Sequence, residues 1–219
     1  MLQIRSFVFN PFQENTFVLS DETRECIVID PGCSDETENL QLKTFIEERK
    51  LRVKLLLNTH CHIDHVLGNK FVKDTFKVNL LIPPGEESVL KAAEVYAPSY
   101  GFHLYQHVPP DAYLEEGDII KMGNQTFVVL SVPGHSPGHV AFYSERNRIL
   151  MGGDVLFYNS IGRTDLPGGN HDQLINSIHT KFFTLPDGVK VYPGHGPETT
   201  IGFEKKTNPF CAENNINIE

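Results

Sequence analysis

Thr59-His60-Cys61-His62-Ile63-Asp64-His65 follows the largely apolar run Val53–Leu57 and packs three imidazoles and one carboxylate into six residues. Each is a ligand type for a borderline metal such as zinc. Buried without partners, such groups would cost several kcal/mol. Core packing therefore gives no reason for the cluster, and a metal centre does. Alternate residues of an extended segment point the same way, which lets His60 and His62 grip one ion with Cys61 turned elsewhere. Asp64 and His65 come after the chain tightens and can reach a second ion.

Outward from this stretch, Val53–Leu57 reads as a strand buried on both faces, as in the centre of a layered sandwich. Before it, Ile4–Phe9, Thr16–Leu19 and Cys26–Ile29 have the β-branched and aromatic content of short strands. Asp30-Pro31-Gly32 ends the third, and a helix opens at Asp35 or Glu36 and runs to about Lys50. After the histidines come a helix carrying Val66, Leu67, Phe71 and Val72, a strand Val78–Ile82 and a helix Glu86–Tyr96. Pro98–Pro110 reads as an irregular surface segment, with Tyr96, Phe102 and Tyr105 taken as core aromatics. The second half repeats the strand theme with Ile119–Lys121, Thr126–Val132, Val140–Tyr143, Arg148–Met151 and Val189–Tyr192. Helices are expected at Asp172–Phe183 and Glu198–Lys206, with a frayed Asn-rich tail. Two strand-rich halves predict two facing sheets with helices outside, in one α/β (α+β) domain over residues 1–219.

Three more strand-like runs end in turns bearing metal-ligand residues. They are Pro133-Gly134-His135-Ser136-Pro137-Gly138-His139, Gly152-Gly153-Asp154 and Pro193-Gly194-His195-Gly196-Pro197. Strand ends are where side chains can converge on a ligand. Two metals need about three protein ligands each plus a shared bridge. His60, His62, His65, His135 and His195 with Asp64 supply that number, and Asp154 supplies the bridge. His103, His107, His171 and His179 stay unassigned, and His139 is weighed as a donor behind the ligands.

The formal charge is −9, with no Lys/Arg block. That argues against nucleic acid or an anionic membrane as partner. Cys26, Cys33, Cys61 and Cys211 form no regular framework, so reduced thiols and a cytoplasmic location are expected. The N-terminus is too mixed for a signal peptide, and no apolar run has transmembrane length.

The ligand pattern resembles the metallo-β-lactamase superfamily. Its HxHxDH signature stands as His60-Cys61-His62-Ile63-Asp64-His65, followed in order by His135, Asp154 and His195. The resemblance implies a four-layer αββα sandwich. It also implies one metal on His60, His62 and His135, a second on Asp64, His65 and His195, and Asp154 between them. Two divalent ions are implied, zinc first, with iron or manganese as alternatives. Gly153-Asp154-Val155-Leu156-Phe157, Ile161-Gly162-Arg163-Thr164-Asp165-Leu166-Pro167 and Thr207-Asn208-Pro209-Phe210 look most like the short branch of the glyoxalase II (hydroxyacylglutathione hydrolase) group.

That branch implies hydrolysis of S-lactoylglutathione or a related small acyl thioester. A bridging water is lowered toward pKa ~7 and attacks a polarised carbonyl, with Asp64 and Asp154 as the catalytic carboxylates. Arg163 is the expected contact for a substrate carboxylate. The helical domain that binds glutathione in longer relatives is not expected here, and Asp165 replaces the Tyr that follows the basic residue in them. A persulfide dioxygenase with a single iron on the His60, His135 and Asp154 positions is the rival reading. The sequence does not settle the oligomeric state.

Overall fold

The computed structural model describes residues 1–212, so the Asn-rich tail lies outside the described residues. The first sheet runs in the order β1 (Gln3–Phe9), β2 (Glu14–Ser20), β3 (Glu25–Ile29), β4 (Arg52–Leu57), β5 (Asn79–Ile82) and β6 (Ala112–Tyr113). Its first three strands pair antiparallel; from β3 to β6 the pairing is parallel. The parallel steps need crossovers. They are made by α1 (Glu36–Glu48), then α2 (Ile63–Val66) with α3 (Asn69–Phe76), then α4 (Glu87–Tyr96).

The second sheet contains β7 (Ile119–Met122), β8 (Gln125–Ser131), β9 (Val140–Ser144) and β10 (Ile149–Gly153). A two-strand hairpin follows, β11 (Leu156–Phe157) with β12 (Ser160–Ile161), and then α5 (His171–Ser177). β13 (Lys190–Pro193) joins β10 in parallel, β14 (Thr199–Thr200) closes that edge, and α6 (Ile201–Thr207) ends the fold. The sheet order is β14-β13-β10-β9-β8-β7.

Alternation along the strands builds the layers. In β3, Val28 faces a cluster with Leu42 and Ile46 of α1, whereas Ile27 and Ile29 face Phe127, Val129 and Phe142 of the second sheet. β4 divides likewise, with Leu56 toward the helices and Leu57 toward the opposing sheet. On the far side, Ala141, Leu150 and Val191 pack on Leu174 of α5 and Ile201 of α6. The result is the expected αββα sandwich, with the two-faced burial read for β4.

Several boundaries differ from the sequence reading. The helix after the histidines is split at Gly68, whose N–H donates to Pro31 O at 2.7 Å. Thr200 caps α6 by accepting from Phe203 N–H, so that helix starts at Ile201, not Glu198. The expected Asp172–Phe183 helix is α-helical only to Ser177 and then widens into a π turn over Ile178–Phe182. β6, β11, β12 and β14 are two-residue strands with too few residues to show a period. Among the described residues no helix is long and apolar enough to cross a membrane.

Gly134 shows how tightly the second ligand turn is pinned. It sits at φ +137°, and a Cβ there would lie 2.3 Å from Leu174 N and 2.4 Å from Leu174 Cα. Both are backbone atoms of α5 that cannot swing away. Gly134→Ala should therefore lower stability by roughly 2–5 kcal/mol, combining left-handed strain with overpacking. Gly101→Ala, also at positive φ but in open space, should lose only about 1 kcal/mol. Denaturant midpoints of the two variants would show equal losses if the clash with α5 were unimportant.

Candidate metal centre

The four ligand-bearing turns lie at the C-terminal ends of β4, β8, β10 and β13 and meet at one edge of the sandwich. The ligand atoms of His60, His62 and His135 all lie within 4.8 Å of one another, and those of Asp64, His65 and His195 form a second such group. Asp154 stands between the two. Its Oδ1 is 3.5 Å from His65 Nε2, and its Oδ2 is 3.6 Å from His135 Nε2 and 3.5 Å from His195 Nε2. The structure thus brings together all seven residues read from the sequence.

The fit to metal can be tested on the ring nitrogens. His60 Nε2, both nitrogens of His65 and Asp154 Oδ1 are buried with no hydrogen-bond partner. Such atoms are costly unless something binds them. The opposite edges of the rings are held. His135 Nδ1 contacts Arg163 O at 2.7 Å, and His195 Nδ1 contacts Phe12 O at 3.1 Å. A carbonyl only accepts, so both rings carry a proton on Nδ1 and turn Nε2 to the centre, where that of His195 meets Asp64 Oδ2 at 3.1 Å. Thr59 Oγ1 donates to Asp30 Oδ2 and lies 3.1 Å from His60 Nδ1, which assigns His60 the same tautomer. His62 is turned the other way: its Nδ1 faces His135 Nε2 at 2.9 Å. Two lone pairs at that distance repel unless a proton or a cation lies between or beside them.

Burial pushes the His60 imidazolium well below its ordinary pKa, and the neighbouring imidazoles push it further. His62 is lowered to about 4 by burial and then by His135. Both are therefore neutral at pH 7, as ligands must be. His65 goes the other way. Burial alone would lower it, but the Asp154 and Asp64 carboxylates prevail and hold it well above its usual value. Burial would likewise raise Asp154, yet His65 and the other imidazoles hold it well below the carboxylate range. In the second half-site the two carboxylates thus hold a proton on His65, at the place where a bound cation would take over that charge.

Asp30, His60 and His65 form a third close group, but Asp30 is already engaged. It accepts from Thr59 N–H at 2.7 Å, Thr59 Oγ1 at 2.6 Å and Asn58 Nδ2 at 3.4 Å. It stands 3.3 Å from His65 Nδ1, so it orients His65 from behind, with Glu14 3.9 Å from the same nitrogen. His139 is also behind the ligands. It stacks on His60 at 4.6 Å, and its Nε2 accepts from Asp154 N–H at 3.0 Å.

The sequence reading missed Asp30, Glu14, Asn15 and Glu86. Asn15 Nδ2 donates to Pro193 O and Gly196 O at 3.0 and 2.9 Å, and its N–H donates to Gly194 O, clamping the His195 turn. Glu86 is fully buried and accepts from Cys61 N–H, Ser136 Oγ and Gly138 N–H. One carboxylate thereby ties the His60–His62 turn to the His135 turn. Beside it Gly85 and Gly138 touch backbone to backbone, where a Cβ on either would sit within 2.8 Å of the other residue. The signal available in sequence was a buried-type polar residue at a strand or helix start, which many surface residues share.

The centre opens into a cavity of about 660 Å³ lined by His62, Asp64, His135 and residues of α4. Tyr96 lines it, while Phe102 and Tyr105 pack against the first-sheet core. Arg163 also lines it, but its guanidinium is held by Asp165 through Nε–Oδ1 and Nη2–Oδ2 contacts of 2.7 and 2.8 Å. The four cysteines are free and buried, and Cys61 packs in the core cluster under the first sheet's helices.

Removing Glu86 orphans three donors. Glu86→Ala should cost ~3 kcal/mol or more in stability and weaken metal binding roughly 10–100-fold. Glu86→Gln keeps Oε1 for Ser136 and Gly138 and loses only the Cys61 contact, so it should recover most of both. Chelator competition and urea unfolding on the two variants would refute this if alanine and glutamine behaved alike.

The Metallo-beta-lactamase superfamily profile matches residues 9–195. Hydroxyacylglutathione hydrolase GloC of Haemophilus influenzae is 38% identical over 201 residues, 91% of this chain and 93% of that protein. Among solved structures, TTHA1623 in a di-iron-bound form superposes with a TM-score of 0.83 at 35% identity, covering 94% of this chain and 99% of that one. ETHE1 from Myxococcus xanthus gives 0.79 at 25% identity, covering 99% and 92%. A match over this span, carried by a centre in which His60 Nε2 and both His65 nitrogens are buried without partners, means that the chain belongs to the metallo-β-lactamase superfamily.

Proposed function

We propose that the protein is a dinuclear metal-dependent hydrolase that cleaves acyl thioesters such as S-lactoylglutathione or a related small thioester. The observation that carries this reading is the pair of three-ligand groups sharing Asp154. Similarity to the hydroxyacylglutathione hydrolase GloC supports the thioester.

His60, His62 and His135 would hold one ion, Asp64, His65 and His195 the other, and Asp154 would bridge. When bound, two divalent ions supply an acidified water and a Lewis acid for the carbonyl oxygen. The chain's own work is positioning. The Arg163 and Phe12 carbonyls and Thr59 hold the His135, His195 and His60 rings in one tautomer each. Asp64 lines the cavity with its Oδ2 3.1 Å from His195 Nε2, where it can accept a hydrogen bond from the attacking water and orient it. Hydrolysis adds water across the C–S bond, giving a carboxylate, a thiol and one released proton. Zinc is the first expectation for the metal, although the similar TTHA1623 is described in a di-iron-bound form. Four free buried cysteines fit a reducing, cytoplasmic setting.

The likeness to ETHE1 favours one second reading, a mononuclear iron persulfide dioxygenase on His60, His135 and Asp154. His62, Asp64, His65 and His195 would then be idle, although Asp64, His65 and His195 converge here as a second complete group and His62 completes the first.

Metal analysis with kinetics decides between the readings. Wild type should carry two ions per chain and lose activity on chelation. Asp154→Ala and His62→Ala should each lower metal content and cut kcat/KM by about 100-fold or more. Full metal content and full activity in both variants would sink the scheme. One iron per chain with oxygen uptake on glutathione persulfide would establish the dioxygenase.

A further inference from the structure

The cavity beside the metal centre has one chemical character on the side away from the ligands. Val89, Ala92 and Tyr96 of α4 line it with Phe12, Tyr100 and Leu166, and Ser88 is the polar residue that α4 adds. Phe12 and Tyr100 meet edge to face at 5.8 Å. Ser99 also lines the cavity, but its hydroxyl is already given to Tyr96 O at 2.6 Å. Arg163 is the sole Lys or Arg among the lining residues. Asp165 neutralises it with two hydrogen bonds and is itself held down to about 2 by that contact.

A glutathione arm carries two carboxylates and an ammonium. Laid in this cavity it would meet no free cation. Recruiting Arg163 would exchange one carboxylate for another in an exposed ion pair, which is worth little. Desolvating a carboxylate without a partner is costly, whereas each methylene placed against α4 is favourable. We infer that the substrate arm lying against α4 is the acyl chain, neutral and apolar, an alkyl or aryl group, and that a glutathione leaving group gains nothing from this cavity. The inference rests on the thioester hydrolase reading for its chemistry and on the cavity alone for its selectivity.

The test uses the protein loaded with two metal ions and N-acetylcysteamine thioesters with acetyl, butanoyl and hexanoyl groups. The kcat/KM should rise about fourfold per methylene while the chain stays inside the cavity. Lactoyl-N-acetylcysteamine should be cleaved at least as well as lactoylglutathione. Ala92→Trp should cut the hexanoyl-to-acetyl ratio at least tenfold. A flat chain-length profile, or a tenfold preference for lactoylglutathione, would overturn the inference. Calorimetric binding of 2-oxoalkyl thioethers of N-acetylcysteamine, which cannot be hydrolysed, separates the two claims. Chain-length-dependent binding without cleavage of any thioester would remove the hydrolase reading and leave the apolar arm standing. Cleavage without chain dependence in either assay would do the reverse.

Discussion

Five imidazoles and two carboxylates held within a few ångströms of each other, mostly out of water, are the constraint on which the rest of this structure depends. Left to themselves they repel or pair indiscriminately. What makes them a binding site is that three of the five rings have one edge held, by Arg163 O on His135, Phe12 O on His195 and Thr59 on His60, while Asp30 stands behind His65 at 3.3 Å. The occupied edge fixes the tautomer, and the tautomer points a lone pair inward. The two sheets are the frame that brings those second contacts from four distant strand ends to one place.

The division of labour within the frame follows from burial. His60 and His65 are fully buried, whereas His62, Asp64 and His195 keep some exposure, and His62 and Asp64 border the cavity. The sealed ligands sit on the sheet side, where water would compete with them. The open ones sit where a substrate must arrive. Glu86 lies just before α4, so the element that forms the apolar wall is fastened to both turns of the first half-site. A shift of that wall therefore moves the His60–His62 and His135 turns with it.

Much of this was legible from the chain. The crowding of His60, His62, Asp64 and His65 has no packing explanation, and His135, Asp154 and His195 each follow a recognisable strand. The two-faced burial of β4 was visible in its near-continuous apolar run. What escaped reading was reciprocal: Asp30, Glu14, Asn15 and Glu86 act on backbone groups or rings far away in sequence, and nothing local marks them. Two-residue strands such as β6 and β14 are defined by their partners, not by a pattern of their own. Arg163 was read as a contact for a substrate carboxylate, with a surface ion pair as the alternative; its engagement by Asp165, two residues on, depends on a loop conformation that residue types do not specify.

The clamp on the His195 turn has a consequence for how the chain folds. Asn15 and Phe12 reach Pro193 and His195 across about 180 residues, while His60 to His65 lie on a single turn of chain. One half of the ligand set is therefore local and the other closes a loop of nearly the whole molecule. Contacts of that separation form late, after the entropy of closing the loop has been met. The histidines of residues 60–65 need no such closure to meet a metal ion, whereas His195 needs the β1–β2 connection seated against the end of β13. An ion captured there early would be bound by the unfolded chain too, and to that extent would add less to the stability of the native state than its final coordination suggests.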